Sequence, residues 1–146
     1  MEPRQWALAA LGAADPQRKA AATRELHAAA TALPIASAAP LARSPVPGRP
    51  ARPELVHPAR VPRRSPQRPE GLAALLHAIA HIEFNATNLA LDAAWRFDGM
   101  PREFHLDWLQ VAAEEAYHFG LLTDLLEQLG HVYGDFPAHD NLWQMC

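Results

Sequence analysis

The chain has 146 residues, which is enough for one domain with a single hydrophobic core, and 49% of them are hydrophobic. Its single cysteine, Cys146, excludes an intrachain disulfide and fits a reducing compartment. The formal net charge is −3, and the apolar run from Trp6 to Ala14 is too short to span a membrane. Since the first residues also lack a signal-peptide pattern, we expect a soluble cytoplasmic protein with no membrane partner.

Prolines and charges divide the chain into three segments. The connector, residues 34–69, holds ten of the fourteen prolines and seven arginines against one acid, a balance of +6. Residues 70–146 carry twelve acids against two arginines, a balance of −10, and residues 1–33 contribute +1. We therefore expect an N-terminal helical segment, a basic extended connector and an acidic helical domain, the last two attracted to each other.

Residues 3–13 and 16–32 are predicted to form two helices. Asp15 is a suitable N-cap for the second one, and Pro16 fits its first position because no backbone hydrogen bond is needed there. In the connector a proline recurs about every fourth residue, which excludes a helix and predicts extended chain. The connector is either a mobile linker or a belt that wraps the acidic domain, with its arginines paired to carboxylates.

Two long helices are predicted next, at about 70–97 and 101–129. Gly99 and Pro101 mark the break between them, since glycine tolerates a positive φ and proline suits the first turn of a helix. Long helices joined by so short a turn are antiparallel neighbours, which together form an αα-hairpin. The tail ends on residues 142–145, which have the pattern of a helix start.

One spacing on the second long helix indicates a metal site. Glu115 and His118 are three residues apart, so both side chains lie on the same side of the helix and can reach one ion. Glu83 lies 16 residues before Gly99 and Glu115 lies 16 residues after it, which places both carboxylates at the same height in the hairpin. A lone Glu-x-x-His spacing is a weak signal, because surface hydrogen bonds also produce it. The matched height of Glu83 favours metal binding by Glu83, Glu115 and His118.

The helical faces around these three residues are apolar and are predicted to be core. They carry Leu76, Ile79, Ala80, Thr87 and Ala90 on the first helix, and Trp108, Val111, Leu122 and Leu125 on the second. Glu114 lies on a polar face and is assigned no role. His77 and His81 have a metal-ligand spacing but face away from Glu83, so we expect them to support the site, an interface or the core edge. The tryptophans expected in the core are Trp95, Trp108 and Trp143.

Six separated runs of the sequence carry a resemblance to a known family. They are residues 47–54, 77–83, 89–97, 101–104, 112–119 and 133–140. Together they resemble the bacterial family called domain of unknown function 455, which belongs to the ferritin-like superfamily. The resemblance implies a four-helix bundle with a carboxylate-bridged di-iron or di-manganese centre. Glu83, Glu115 and His118 match the ligand positions of the first half of that centre.

Members of that family are expected to continue into two more helices, with a second Glu and a second Glu-x-x-His. This chain looks truncated after the first half. Its predicted fold is therefore all-α, a ferritin-like antiparallel hairpin that is half of a four-helix bundle, preceded by short helices and the extended connector. Two hairpins related by a twofold axis would bring together four carboxylates and two histidines, the full ligand set. We therefore expect self-association through the hairpin.

Three functions remain open on the sequence. The first is a metal-dependent, di-iron or di-manganese oxidoreductase or an iron-handling protein, complete only in a dimer or in a full-length parent. A distant relative in the superfamily hydroxylates a modified adenosine in transfer RNA, which implies O₂-dependent oxidation. The second is a non-catalytic remnant or helical interaction protein. The third is RNA binding, with transfer RNA suggested by analogy, through the arginines of residues 43–68, where no aromatic residue is interleaved for base stacking.

Overall fold

The computed structural model describes residues 2–36 and 47–145, and these residues form five α-helices, one 3₁₀ turn and one isolated parallel bridge. The helices are α1 (Pro3–Gly12), α2 (Pro16–Ala30), α3 (Pro69–Arg96), α4 (Arg102–Gln128) and α5 (Asn141–Gln144), and the 3₁₀ turn is Pro58–Arg60. The predicted all-α class is confirmed. Within the described residues, no helix has an apolar stretch of the length that a membrane crossing requires.

The two long helices, α3 and α4, form the antiparallel hairpin that the sequence predicts. Between them Gly99 has a φ of 74°, a left-handed conformation that glycine adopts without strain. Pro101, in extended conformation, is the N-cap residue of α4. At the start of α2 the Asp15 carboxylate accepts a hydrogen bond from the Arg18 N–H at 2.8 Å, which makes it the predicted N-cap. Gly99 at the turn and Asp15 at the N-cap therefore account for the break in the hairpin and for the start of α2.

The main core lies between two layers, with α1 and α2 on one side and the α3–α4 hairpin on the other. Its fully buried residues include Leu11 and Leu26 from the first layer and Leu91 and Leu109 from the second. A second cluster of buried residues consists of Ala73, Ala80, Phe84, Phe119, Leu126 and Phe136. Because α1 packs on α3 and α2 packs on α4, one side of the hairpin is covered by the N-terminal helices.

The apolar faces predicted as core are buried only in part. On α3, Ala80 and Ala90 are buried as expected, and so is Trp95. On α4, Trp108 is 37% exposed and Leu125 is 44% exposed, so the prediction for these residues is wrong. The physical reason is that α1 and α2 cover the opposite side of the hairpin. The face that carries the predicted metal ligands is therefore left largely open to solvent.

The described part of the connector, residues 47–69, lies against the helical domain. The Gly48 N–H donates a hydrogen bond to the Leu11 carbonyl oxygen at 2.8 Å. Further along, residues 54–56 exchange two backbone hydrogen bonds with Ala138, at 2.9 and 2.7 Å. These backbone contacts hold the connector against the domain at two points, which matches the belt alternative.

Two arginines of the connector lie close to acids of the helical domain. Arg49 pairs with Asp140 at 2.7 Å, and both side chains are largely buried. Arg64 and Glu70 are 3.8 Å apart in a more exposed position, where an ion pair contributes little. Arg43 lies outside the described residues. The described part of the connector is therefore held to the domain by the Arg49 side chain and by backbone hydrogen bonds.

Lys19 on α2 is the single lysine of the chain, and only 1% of its surface is exposed. Its amine donates hydrogen bonds to the Gly48 carbonyl oxygen at 2.7 Å and to Asn88 Oδ1 at 2.5 Å. It also lies 4.8 Å from the centre of the Phe84 ring. Burial, together with repulsion from Arg49, lowers the pKa of Lys19 to about 7. This residue joins α2, α3 and the connector at one buried point.

We expect the Lys19 amine to make the protein more stable as the pH rises above neutrality. Below about pH 7 the amine is protonated in the folded and the unfolded chain, so it adds no pH dependence. Between that value and the unfolded pKa of 10.5, only the unfolded chain keeps the proton. The free energy of unfolding then rises by up to ~1.4 kcal/mol per pH unit. Urea unfolding over this range measures the slope.

Lys19→Met keeps the length of the side chain and is expected to remove this rise. Arg18→Met, on the exposed side of α2, is the matched control and should retain it. Because the chain has one lysine, the ¹³Cε resonance of that side chain also reports its pKa directly. A value of about 10 in the folded protein would contradict the burial argument.

Candidate metal centre

The three residues that the spacing singled out lie together at one point of the hairpin. Glu83 comes from α3, and Glu115 and His118 come from neighbouring turns of α4. Their ligand atoms all lie within 4.8 Å of one another. His118 Nδ1 is 3.5 Å from Glu115 Oε2 and 3.9 Å from Glu83 Oε2. Among the described residues, this is the one group of three or more His, Cys, Asp or Glu side chains that could hold a metal ion.

The site is half-buried and open on one side. The side chains of Glu83 and Glu115 are 19% and 25% exposed, whereas that of His118 is 49% exposed. A cation held by these three groups would keep coordination positions directed away from the hairpin. An open position is the property that separates a reactive metal site from a purely structural one.

The two carboxylates of the site are close enough to disturb each other. Burial raises the pKa of Glu83 to about 7, and the hydrogen bond to Glu115 and the repulsion between the two carboxylates act in the same direction. His118 opposes the shift. A proton on Glu83 relieves the repulsion in the metal-free protein. A metal ion would replace that proton and balance both carboxylates, so the electrostatics of the site favour a cation.

The side of the hairpin turned away from α1 and α2, here called the outer face, surrounds the three residues with apolar side chains. The exposed ones are Leu75, Ile82 and Phe97 on α3 and Trp108 and Leu125 on α4. Soluble monomers seldom expose large contiguous apolar patches, and such patches mark interaction sites. The candidate ligands therefore lie in the middle of a surface that is suited to contact with another molecule.

His77 and His81 lie away from the three candidate ligands and hold the C-terminal segment in place. The Gly134 N–H donates to His77 Nε2 at 2.9 Å. His81 lies between the Tyr133 hydroxyl and the His139 carbonyl oxygen, each 2.8 Å from a ring nitrogen. Because a carbonyl oxygen only accepts, Nε2 of His81 donates to it and Nδ1 accepts from the hydroxyl.

Burial is the main cause that lowers the pKa of His77 and of His81 to about 4. Both histidines are therefore neutral at neutral pH. Their hydrogen bonds lead to residues 133–139 and not to Glu83, Glu115 or His118. Of the roles considered for them, the core edge fits these contacts. Sequence reasoning missed Tyr133 as their partner, because no local pattern links residue 133 to a helix that ends 37 residues earlier.

We expect Glu83→Gln to stabilise the metal-free protein at alkaline pH. The unfolded carboxyl ionises at about 4.5 and the folded one at about 7, so Glu83 lowers the free energy of unfolding as the pH rises through that interval. A neutral amide of the same shape removes this penalty. Allowing for solvent screening, the gain is about 1–2 kcal/mol above neutrality and close to zero in acid.

The measurement is urea unfolding in EDTA from about pH 4.5 into the alkaline range. Glu114→Gln is the matched control, because Glu114 lies on the exposed side of α4, beside Glu115, and its carboxylate accepts a hydrogen bond from Gln110 at 3.1 Å. A Glu83→Gln protein that is less stable than the parent in alkaline buffer would show that the carboxylates do not repel each other as described.

Comparison with known proteins agrees with the resemblance carried by the sequence motifs. The chain is 55% identical over 104 residues to an uncharacterized protein of Haemophilus influenzae, a match that covers 66% of this chain and 36% of the relative. The chain thus spans about a third of the length of that relative. No solved structure matches the chain. A family model described as "Protein of unknown function (DUF455)" matches residues 12–146, and the chain belongs to that family.

Proposed function

We propose that this chain binds iron or manganese through Glu83, Glu115 and His118, as one half of a dinuclear carboxylate centre. The observation that carries the proposal is the convergence of three ligand atoms within 4.8 Å on two facing helices. Imidazole is a ligand for iron and carboxylate is a ligand for manganese, and mixed sets of both build the dinuclear centres of helical bundles. The raised pKa of Glu83 supports the same conclusion, because burial and the neighbouring Glu115 carboxylate both disfavour an ionised Glu83 that lacks a cation.

A second copy of the hairpin supplies the rest of the centre in this proposal. One chain offers two carboxylates and one histidine, whereas a dinuclear bundle site uses four carboxylates and two histidines. A twofold axis through the site doubles the set without new residues. The exposed apolar side chains of the outer face, Ile82 and Leu125 among them, support an interface at this position. Further helices of a longer polypeptide are the competing source.

The reaction class that fits such a centre is O₂-dependent oxidation, with iron handling as the related non-catalytic role. The metal would supply the redox chemistry toward dioxygen. Glu83 and Glu115 would hold the metal, and the half-exposed side of His118 would leave room for a small molecule to approach. The oxidation itself rests on the ferritin-like resemblance, because a fold by itself does not determine a reaction.

Anaerobic titration with Fe(II) tests the proposal. We expect about one iron per chain and a dimer in sedimentation equilibrium, because two half-sites form one centre. Glu115→Gln and His118→Ala should each weaken binding at least about tenfold, since each removes a ligand. Glu114→Gln, one residue away on the exposed side of α4, should bind iron like the parent.

Several outcomes would count against the proposal. Equal iron binding by the Glu114→Gln and Glu115→Gln proteins would remove the ligand assignment. A monomer that binds one iron per chain would remove the second copy and leave a mononuclear site. A dimer without any iron or manganese binding would favour the alternative function, a helical interaction protein that associates through its outer face.

A further inference from the structure

A groove of about 900 Å³ lies on the outer face between the metal ligands and the hairpin turn. Its α3 side runs from Ala86 to Phe97, which corresponds to roughly 16 Å along the helix axis. Its α4 side runs from Trp108 to Glu115, and α5 borders it with Leu142, Trp143 and Gln144. The volume falls within the range of small-molecule sites in proteins, which is about 300–1,000 Å³.

We propose that this groove is the substrate-binding site of the metal centre and that it accepts an uncharged, largely apolar molecule with an aromatic ring. The inference rests on the proposed function, because it assigns a substrate class to the same centre. The shape, the charge and the position of the groove support this proposal.

The shape of the groove follows from small residues placed between aromatic ones. Ala86, Ala90 and Ala93 recur at helical spacing on α3 and form a shallow floor. Trp108 on α4 and Trp143 on α5 form its walls. Trp143 packs against the main core, so the wall it forms is anchored. Aromatic rings over an alanine floor provide a slot for a flat apolar group.

The charge of the groove fits a neutral ligand. Among the described residues that line the groove, the one basic residue is Arg96. It makes two hydrogen bonds to Asp92, at 2.9 and 2.5 Å, and its guanidinium lies 5.3 Å from the centre of the Trp95 ring. Arg96 is thus already paired and would not be free to bind an anionic ligand. The remaining ionisable group of the lining is Glu115, whose charge a bound metal would balance.

The position of the groove connects it to the metal. Glu115 both lines the groove and belongs to the three candidate ligands. Trp108 lies two helical turns before it, about 10 Å along α4. A ring held beside Trp108 would therefore extend toward the metal. A second copy facing the hairpin would cover the groove and exclude water from it.

Fluorescence titration with N-phenyl-1-naphthylamine, an uncharged aromatic probe, tests the site. We expect saturable binding of about one probe per chain, as one groove per chain requires. The sulfonated analogue 1-anilinonaphthalene-8-sulfonate should bind at least about fivefold more weakly, because the groove has no free cation for the sulfonate.

Ala93→Phe fills the floor of the groove and should weaken binding of the neutral probe about tenfold or more. Ala78→Phe, on the exposed side of the same helix, is the matched control and should not. Ala86→Phe is the second filling variant if Ala93→Phe fails to fold by circular dichroism. Unchanged probe binding in a folded filling variant would overturn the proposal. The proposal would also be overturned if the parent binds no probe and a filling variant dissociates the dimer. The groove would then be an interface between copies.

Cobalt(II) separates this inference from the proposed function. Saturating probe should change the visible absorption of cobalt bound to the parent protein, because the groove ends at Glu115. Glu83→Gln should lose cobalt and keep the probe, whereas Ala93→Phe should keep cobalt and lose the probe. Probe binding without metal binding in the parent would refute the metal centre alone. A cobalt spectrum that the probe leaves unchanged would refute the role of the groove as a substrate site.

Discussion

The packing of α1 and α2 against one side of the α3–α4 hairpin determines where every other feature lies. It buries Leu91 and Leu109 and leaves the outer face uncovered by the N-terminal helices. The connector is joined to this arrangement through Lys19, and residues 133–139 are joined to it through His81. The candidate ligands lie on the outer face, and so does the groove, which α5 borders. The molecule is therefore divided into a side that holds the fold together and a side available for binding.

On the binding side, the hairpin imposes an energetic cost that a cation relieves. Antiparallel helices with equal distances from Gly99 fix Glu83 and Glu115 at one height, and their partial burial weakens the screening of their repulsion by water. A structure selected for stability alone would not place two carboxylates there. Sites that oppose stability in this way are expected where a protein has a ligand to bind.

Several features of the fold and the site could be predicted because their signals are local. Gly99 and Pro101 predicted the hairpin turn. Equal residue counts from Gly99 predicted that Glu83 and Glu115 lie at the same height. The burial of Trp108 was predicted wrongly, because periodicity shows that a face is apolar but not which element covers it. The contacts of Lys19 and of His81 were not predicted, because they join parts of the chain that are distant in sequence.

Three of the hairpin histidines, His77, His81 and His118, show why the outer face is where a ligand should be sought. His77 and His81 are buried and neutral, and backbone or hydroxyl groups occupy their ring nitrogens. A metal could bind to them only by breaking these hydrogen bonds and exposing the groups that make them. His118 is half-exposed, and its near neighbours are two carboxylates that carry excess negative charge. His77 and His81 have a metal-ligand spacing, but their hydrogen bonds to residues 133–139 fit the expected role at the core edge.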